Sequence, residues 1–286
     1  MSVAEAVAVE ALLQTERLPH VTAALRYIVV GEDRPRSYMY EPPPGIPQIN
    51  ATYEQHSTVI RSLRPIANQL SLDVEGFRLL NHRSDVQDFY SEDEVRDRHY
   101  PEVEKLVAKT TGAACVVVFD HTVRSRREDV QPVAGRVRRD PVPRVHNDYT
   151  AKSGPQRVRE LLAEEADALL RRRFSIINLW RPIRGPLEDA PLALADARSV
   201  AAQDLVATDL VYEDRTGEIY NVRHNPAHRW FYAPRMGRDE VLLFRSYESA
   251  EDGRARFVPH AAFEDPTAPR GALPRESIEL RTLVFY

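Results

Sequence analysis

A single cysteine, Cys115, among 286 residues leaves no partner for an intrachain disulfide. It lies inside the apolar run 113–119, which predicts a buried structural thiol rather than a reactive one. Glycine is scarce at 11 residues, and neither GxGxxG nor GxxxxGK with a following Ser or Thr occurs, so the usual phosphate-cradling loops are excluded. No apolar run approaches the roughly 18 residues of a membrane span, and residues 1–10 are small and acidic without a basic stretch ahead of an apolar core. These features predict a cytoplasmic protein with no membrane partner. An excess of one charge is missing too: 39 basic against 43 acidic residues give a net −4, and the densest basic patch, Arg171 to Arg173, follows Glu164, Glu165 and Asp167. Nothing in that balance favours nucleic acid.

What is present is the composition of a soluble globular enzyme, with 43% hydrophobic and 29% charged residues. One domain over 1–286 fits the length. Segment 1–54 reads as an N-terminal arm, because 35–50 holds Pro42, Pro43, Pro44, Gly45 and Pro47 and resists both helix and strand. The core then spans 55–286. Val103, Leu106 and Val107 between charged residues predict a helix over 101–111, stopped by Gly112 and followed by a buried strand over 113–119. Val158, Leu161, Leu162, Ala166, Leu169 and Leu170 recur at steps of three and four, which predicts one inserted helix over about 152–172. Beyond it, the runs 174–179, 192–195, 205–212, 218–222, 241–247, 255–263 and 275–286 are rich in β-branched and aromatic residues and separated by turn formers. The fold class is therefore mainly β with flanking helices, a sandwich or barrel.

Only one of the nine histidines, His146, has a carboxylate two positions later, at Asp148. On a strand, residues i and i+2 share a face, so the two side chains can converge on one metal ion. A 2-His-1-carboxylate triad needs a second histidine from a neighbouring strand, and it leaves coordination positions open for a cosubstrate and dioxygen. Downstream stand His224, His228 and His260. The first two are four apart, but Pro226 interrupts any helix between them and the Glu of HExxH is missing, which excludes a zinc protease. They read as loop or substrate-side residues beside Trp230. His260 lies on an expected strand 114 positions after His146, and it is the preferred second histidine. On the last strand, Arg275, Ser277, Glu279 and Arg281 share one face and Ile278, Leu280 and Val284 the other. An arginine with a hydroxyl two residues on suits bidentate capture of a dicarboxylate's far carboxylate.

Several short stretches extend this pattern in order: Ser71-Leu72-Asp73 with Gly76-Phe77, 85–89, Tyr100-Pro101-Glu102, Thr111-Gly112-Ala113, Val118-Phe119-Asp120-His121-Thr122-Val123-Arg124, His146-Asn147-Asp148-Tyr149-Thr150, Asn178-Leu179-Trp180-Arg181-Pro182, His228-Arg229-Trp230-Phe231-Tyr232, Pro259-His260-Ala261-Ala262-Phe263 and 275–281. From about residue 55 to the end the chain resembles the iron(II)/2-oxoglutarate oxygenases of the double-stranded β-helix (jelly-roll, cupin-like) fold. More narrowly, it resembles the group that contains the cephamycin methoxylase hydroxylase component and the fungal hydroxylase/desaturase and endoperoxidase enzymes of natural-product pathways. The resemblance implies Fe(II) held by His146, Asp148 and His260, 2-oxoglutarate bound by Arg275 with help from Ser277, and O2 as co-reactant. Arg275 follows His260 by 15 positions and Arg281 by 21, so either can be the clamp, and Arg275 is favoured. It further implies hydroxylation, desaturation or a related oxidation of a small secondary-metabolite intermediate, with release of succinate and CO2.

The expected pocket wall includes His121, Arg124, Trp180, His228, Trp230 and Tyr232, with Arg181, Phe231 and Arg235 as further candidates. The rival reading is a non-catalytic or 2-oxoglutarate-independent cupin-like metal-binding partner of a biosynthetic methyltransferase. A homodimer is compatible with the sequence, which leaves the oligomeric state open.

Overall fold

A computed structural model describes residues 15–127 and 139–286. Residues 1–14, which include the acidic stretch read at the N-terminus, lie outside the described residues. The first part of the chain supplies strands β1 (His20–Val29), β2 (Arg36–Tyr38), β3 (Thr52–Ser62), β4 (Phe77–Asn81) and β5 (Cys115–Ser125). The middle supplies β6 (His146–Asn147), β7 (Phe174–Pro182), β8 (Leu192–Ala195), β9 (Leu205–Val211) and β10 (Thr216–Val222). The last part supplies β11 (Trp230–Tyr232), β12 (Glu240–Glu248), β13 (His260–Ala262) and β14 (Glu276–Phe285). One sheet runs β1-β3-β11-β8-β13-β6-β10-β9-β2 and the other β4-β12-β7-β14-β5. The expected jelly-roll architecture is what the chain adopts.

The core between the sheets follows from side-chain alternation. Leu192, Leu194 and Phe231 point inward from the nine-stranded sheet and meet Trp180, Leu242 and Phe244 of the five-stranded one. Their neighbours Ala193, Ala195, Trp230 and Tyr232 point the other way, into a separate cluster with Leu25, Tyr27 and Ile60. Strand β7 is buried along its whole length, because β12 and β14 flank it and a helix covers its outer face. That helix, α1 (Tyr100–Thr111), places Val103 and Val107 against Ile177, Leu179 and Leu280. Each fully buried valine contributes on the order of 1.5 to 3 kcal/mol. Gly112 ends the helix in the left-handed region at φ 71° and donates its N–H to the Ala108 carbonyl, as the sequence predicts.

The structure corrects four expectations. The arm expected over 1–54 is only partly an arm: β1 and the start of β3 belong to it, and these two strands pair antiparallel from His20↔Arg61 to Val29↔Thr52. The alternation of Val21, Ala23, Leu25 and Tyr27 was the signal for that strand. The single helix expected over 152–172 is two, α2 (Ser153–Leu161) and α3 (Ala166–Leu170), because Leu162 leaves helical geometry at φ −128°. Val158 and Ala166 would stand about 12 Å apart along a straight helix, and the break lets both join one cluster with Phe174 and Tyr247. The strand expected over 255–263 shrinks to β13, since the Val258 N–H is taken by the Asn147 side chain and Pro259 has none to give. Cys115 is exposed at the start of β5 instead of buried. Among the described residues no helix is long and apolar enough to cross a membrane.

Gly76 ties the five-stranded sheet to the loop before His260. Its φ is +91°, and a Cβ there would sit 2.3 Å from Val258 Cγ2. Gly76→Ala is expected to combine backbone strain with overpacking and lower stability by about 2 to 5 kcal/mol, read from denaturant midpoints. An unchanged midpoint would show that Val258 moves aside freely.

Candidate active site

Two antiparallel neighbours in the nine-stranded sheet build the site. Strand β6 pairs with β13 through the single register His146↔His260, so the two imidazoles arise side by side, ring centroids 4.4 Å apart. Asp148 follows two positions after His146, and its Oδ1 lies 3.6 Å from His146 Nε2 and 3.9 Å from His260 Nε2. One donor atom from each residue falls within 4.8 Å of the other two, a spacing that fits a single metal ion. Asn147, between the two candidate ligands, braces the segment from the opposite face. It donates to the Tyr149 carbonyl at 2.6 Å and the Ser246 carbonyl at 2.8 Å, and accepts from the Val258 N–H at 3.0 Å.

The hydrogen bonds fix which ring nitrogens face the centre. His146 Nδ1 lies 2.8 Å from the Arg144 carbonyl and His260 Nδ1 lies 3.1 Å from the Val258 carbonyl. A carbonyl can only accept, so both Nδ1 atoms carry the proton and both Nε2 atoms keep a lone pair. Burial, and then the neighbouring His260, push His146 down to about 4; burial also lowers His260. Neutral rings with converging Nε2 lone pairs are the state that binds metal at neutral pH.

The Asp148 carboxylate is held just as firmly. Its Oδ2 accepts from Asn178 Nδ2 at 2.7 Å and Arg281 Nε at 2.9 Å, leaving Oδ1 toward the histidines. Burial opposes ionisation of Asp148, but the Arg281 guanidinium outweighs it and keeps the carboxyl well below its usual range. Asn178 also donates to Glu279 Oε1 at 2.7 Å, and its own oxygen accepts from Ser246 Oγ at 3.0 Å, so the amide cannot flip without losing bonds. Arg281 reaches Glu279 at 3.2 Å and Asp120 at 3.0 Å as well. It is thus engaged by three carboxylates, which argues against Arg281 as the clamp and for a role in orienting Asp148.

Arg275, immediately before β14, and Ser277, Glu279 and Arg281 on it do share a face, which looks inward, and all four are buried or nearly so. Arg275 lies over the Trp180 ring at 5.0 Å, with Nε on Ser277 Oγ at 3.0 Å and Nη1 on the Ala190 carbonyl at 2.8 Å. Burial, followed by the charge of Arg124, pushes it down to about 9.

A cavity of about 1020 Å³ opens beside the cluster, with His146, Asp148, Arg281, His121 and Arg124 on its wall. Phe119, Tyr149 and Ile219 supply apolar surface, and Ser37 and Met39 come from the Pro-rich segment's end of the chain. His121 is held by the Tyr100 hydroxyl at 2.8 Å. The other expected wall residues are not on the wall. Trp180 is in the core beneath Arg275. Trp230 and Tyr232 face the outer cluster by strand parity, and Trp230 Nε1 donates to the Tyr27 hydroxyl at 2.8 Å. His228 is buried on Asp204 at 3.1 Å and stacked on Tyr27. Arg181 points to Phe89, Phe231 is in the core, and Arg235 is exposed near Glu188. Ser246 escaped sequence reading and Asn178 entered it only within a resembling stretch, without a role, although a lone Asn inside the apolar run of β7 was a usable signal.

Comparison with known proteins gives a consistent result. The family described as "Oxidoreductase/YMDC permease-like domain" matches residues 25–285. The hydroxylase/desaturase efuI of Hormonema carpetanum is 34% identical over 254 residues, covering 82% of this chain and 85% of that relative. The Fe(II)/2-oxoglutarate-dependent dioxygenase nvfI of Aspergillus novofumigatus (strain IBT 16806) is 31% identical over 255 residues, covering 87% and 90%. The solved structure of the iron and alpha-ketoglutarate-dependent endoperoxidase NvfI superposes with a TM-score of 0.84 at 27% identity, over 93% of this chain and 98% of that one.

Proposed function

The chain belongs to the family of Fe(II)/2-oxoglutarate-dependent hydroxylase/desaturases and endoperoxidases, and from that premise we propose that His146, Asp148 and His260 hold its iron and Arg275, with Ser277, its cosubstrate. The protein is a non-haem iron dioxygenase that uses Fe(II), 2-oxoglutarate and O2. The observation that carries the residue assignment is the convergence of His146 Nε2, Asp148 Oδ1 and His260 Nε2 within 4.8 Å. Held by His146, Asp148 and His260, Fe(II) would supply the redox chemistry that couples decarboxylation of 2-oxoglutarate to succinate and CO2 with oxidation of a substrate C–H bond by O2.

The chain's own groups do the rest. The two Nδ1–H bonds orient the imidazoles, and Asn178 and Arg281 hold Asp148 by one oxygen. A cavity of about 1020 Å³ is at the large end of small-molecule sites, which supports a compact natural-product intermediate as substrate. The same reading takes 1–286 as one domain in the cytoplasm, with no nucleic-acid partner and a kinship to the cephamycin methoxylase hydroxylase component.

The test is anaerobic titration of Fe(II) and then 2-oxoglutarate, followed by admission of air. A visible absorption band that needs both components, and oxygen-dependent succinate, are expected. Absence of succinate under every substrate offered, with no such band, would return the protein to the role of a non-catalytic partner.

A further inference from the structure

The charges on the inner faces of β5 and β14 do not balance. In the register of these strands Ser277 stands opposite Arg124, Glu279 opposite Thr122 and Arg281 opposite Asp120. Antiparallel partners present their side chains on one face, about 5 Å apart. This strip therefore carries three guanidiniums, those of Arg124, Arg275 and Arg281. The carboxylates that reach it, Asp120, Asp148 and Glu279, all gather on Arg281. Asp189 is near Arg275 but accepts its backbone N–H at 2.9 Å and the Arg126 side chain at 2.6 Å.

Arg124 and Arg275 are left without a carboxylate among the described residues. Arg124 gives Nη1 to the Asp140 carbonyl at 2.8 Å. Arg275 gives Nε to Ser277 Oγ and Nη1 to the Ala190 carbonyl. Ser277 links the two, bonded to one arginine and facing the other across the strand pair. Two like charges brought to one face, Arg275 buried and Arg124 half-buried, are costly unless an anion joins them. Burial together with mutual repulsion depresses Arg275, and burial depresses Arg124.

We propose that Arg124 and Arg275 form one two-arginine site for a single carboxylate, with Ser277 between them, and that the far carboxylate of 2-oxoglutarate fills it. This rests on the proposed function and deepens it: Arg124, which lines the cavity beside His146 and Asp148, becomes a cosubstrate-binding residue instead of a substrate contact. Two planar donors approaching one carboxylate from two sides favour a dicarboxylate over a neutral chain of equal length.

The experiment is calorimetric titration of the Mn(II)-loaded protein with 2-oxoglutarate and with 2-oxopentanoate, which has the same 2-oxo acid end and lacks the far carboxylate. The wild type is expected to prefer 2-oxoglutarate by about 100-fold or more, and Arg124→Gln to reduce that preference by about 10-fold or more, as loss of a charge-assisted hydrogen bond requires. Affinity for 2-oxopentanoate should change little, and Arg124→Lys should recover part of the preference. A full preference retained in both Arg124 variants overturns the proposal and assigns Arg124 to the oxidised substrate or to the fold. A wild type that binds Mn(II) but does not distinguish the two acids, or binds no Mn(II), instead brings down the functional reading and the clamp with it.

Discussion

Replacing His260 by Ala is expected to abolish oxygen-dependent succinate formation and to weaken Mn(II) binding by at least about 100-fold, the scale seen even for groups that only support metal ligands. The physical reason is geometric. His260 brings its Nε2 lone pair to within 3.9 Å of Asp148 Oδ1, and among the described residues the His146, Asp148, His260 group is the one set of donors close enough to share an ion. Loss of one of three protein donors leaves a site that cannot hold a divalent ion against water. The fold should survive, because among the described residues the His260 side chain makes a single hydrogen bond, to the Val258 carbonyl at 3.1 Å. His228→Ala is the matched contrast. That ring is buried on Asp204 at 3.1 Å, so its removal should cost about 1 to 3 kcal/mol of stability while Mn(II) binding persists. Full turnover in His260→Ala, with Mn(II) binding lost in His228→Ala, would move the second histidine to position 228.

Where the sequence was legible and where it was not follows from how far each signal reaches. His146 and Asp148 are two apart, so strand parity alone puts them together, and the structure does so. The shared face of Arg275, Ser277, Glu279 and Arg281 was legible for the same reason. Its inward direction was not, because period-two alternation is identical for a solvent-facing and a core-facing polar strip. Pocket candidates drawn from clustered aromatics failed on parity. Trp230 and Tyr232 flank Phe231, and only Phe231 points between the sheets. The strand β1 was hidden by the Pro-rich stretch that follows it, which biased the whole segment toward an arm. Asn178 was invisible as a partner of Asp148, since 30 residues of chain separate them and only the closed sheets bring the amide to the carboxylate.

Arg281→Met should damage stability more than Arg275→Met does, and cosubstrate choice less. Arg281 meets Asp148 at 2.9 Å and Glu279 at 3.2 Å, in a setting where side-chain exposures are 13%, 11% and 7%. Among the ion pairs of the described residues, Arg281 is the one Arg or Lys shared by these two carboxylates. Burial raises Glu279 and opposes the ionisation of Asp148, and Arg281 is the largest opposing charge for each. Removing it strands two buried like charges, which costs about 3 to 5 kcal/mol and lowers Tm by about 6 to 15 °C. Two rescues follow from that cause. Glu279→Gln in the Arg281→Met background should restore part of the loss, because one of the stranded charges is gone and the amide can still face Asn178. Saturating Mn(II) should restore more, since a divalent ion at Asp148 supplies the missing positive charge. The preference for 2-oxoglutarate over 2-oxopentanoate should stay close to that of the wild type, because Arg275 and Arg124 remain. If Arg281→Met instead keeps its Tm and loses that preference, the roles of Arg275 and Arg281 are exchanged, and the engagement of Arg281 by Asp148 and Glu279 is only the resting arrangement of a clamp.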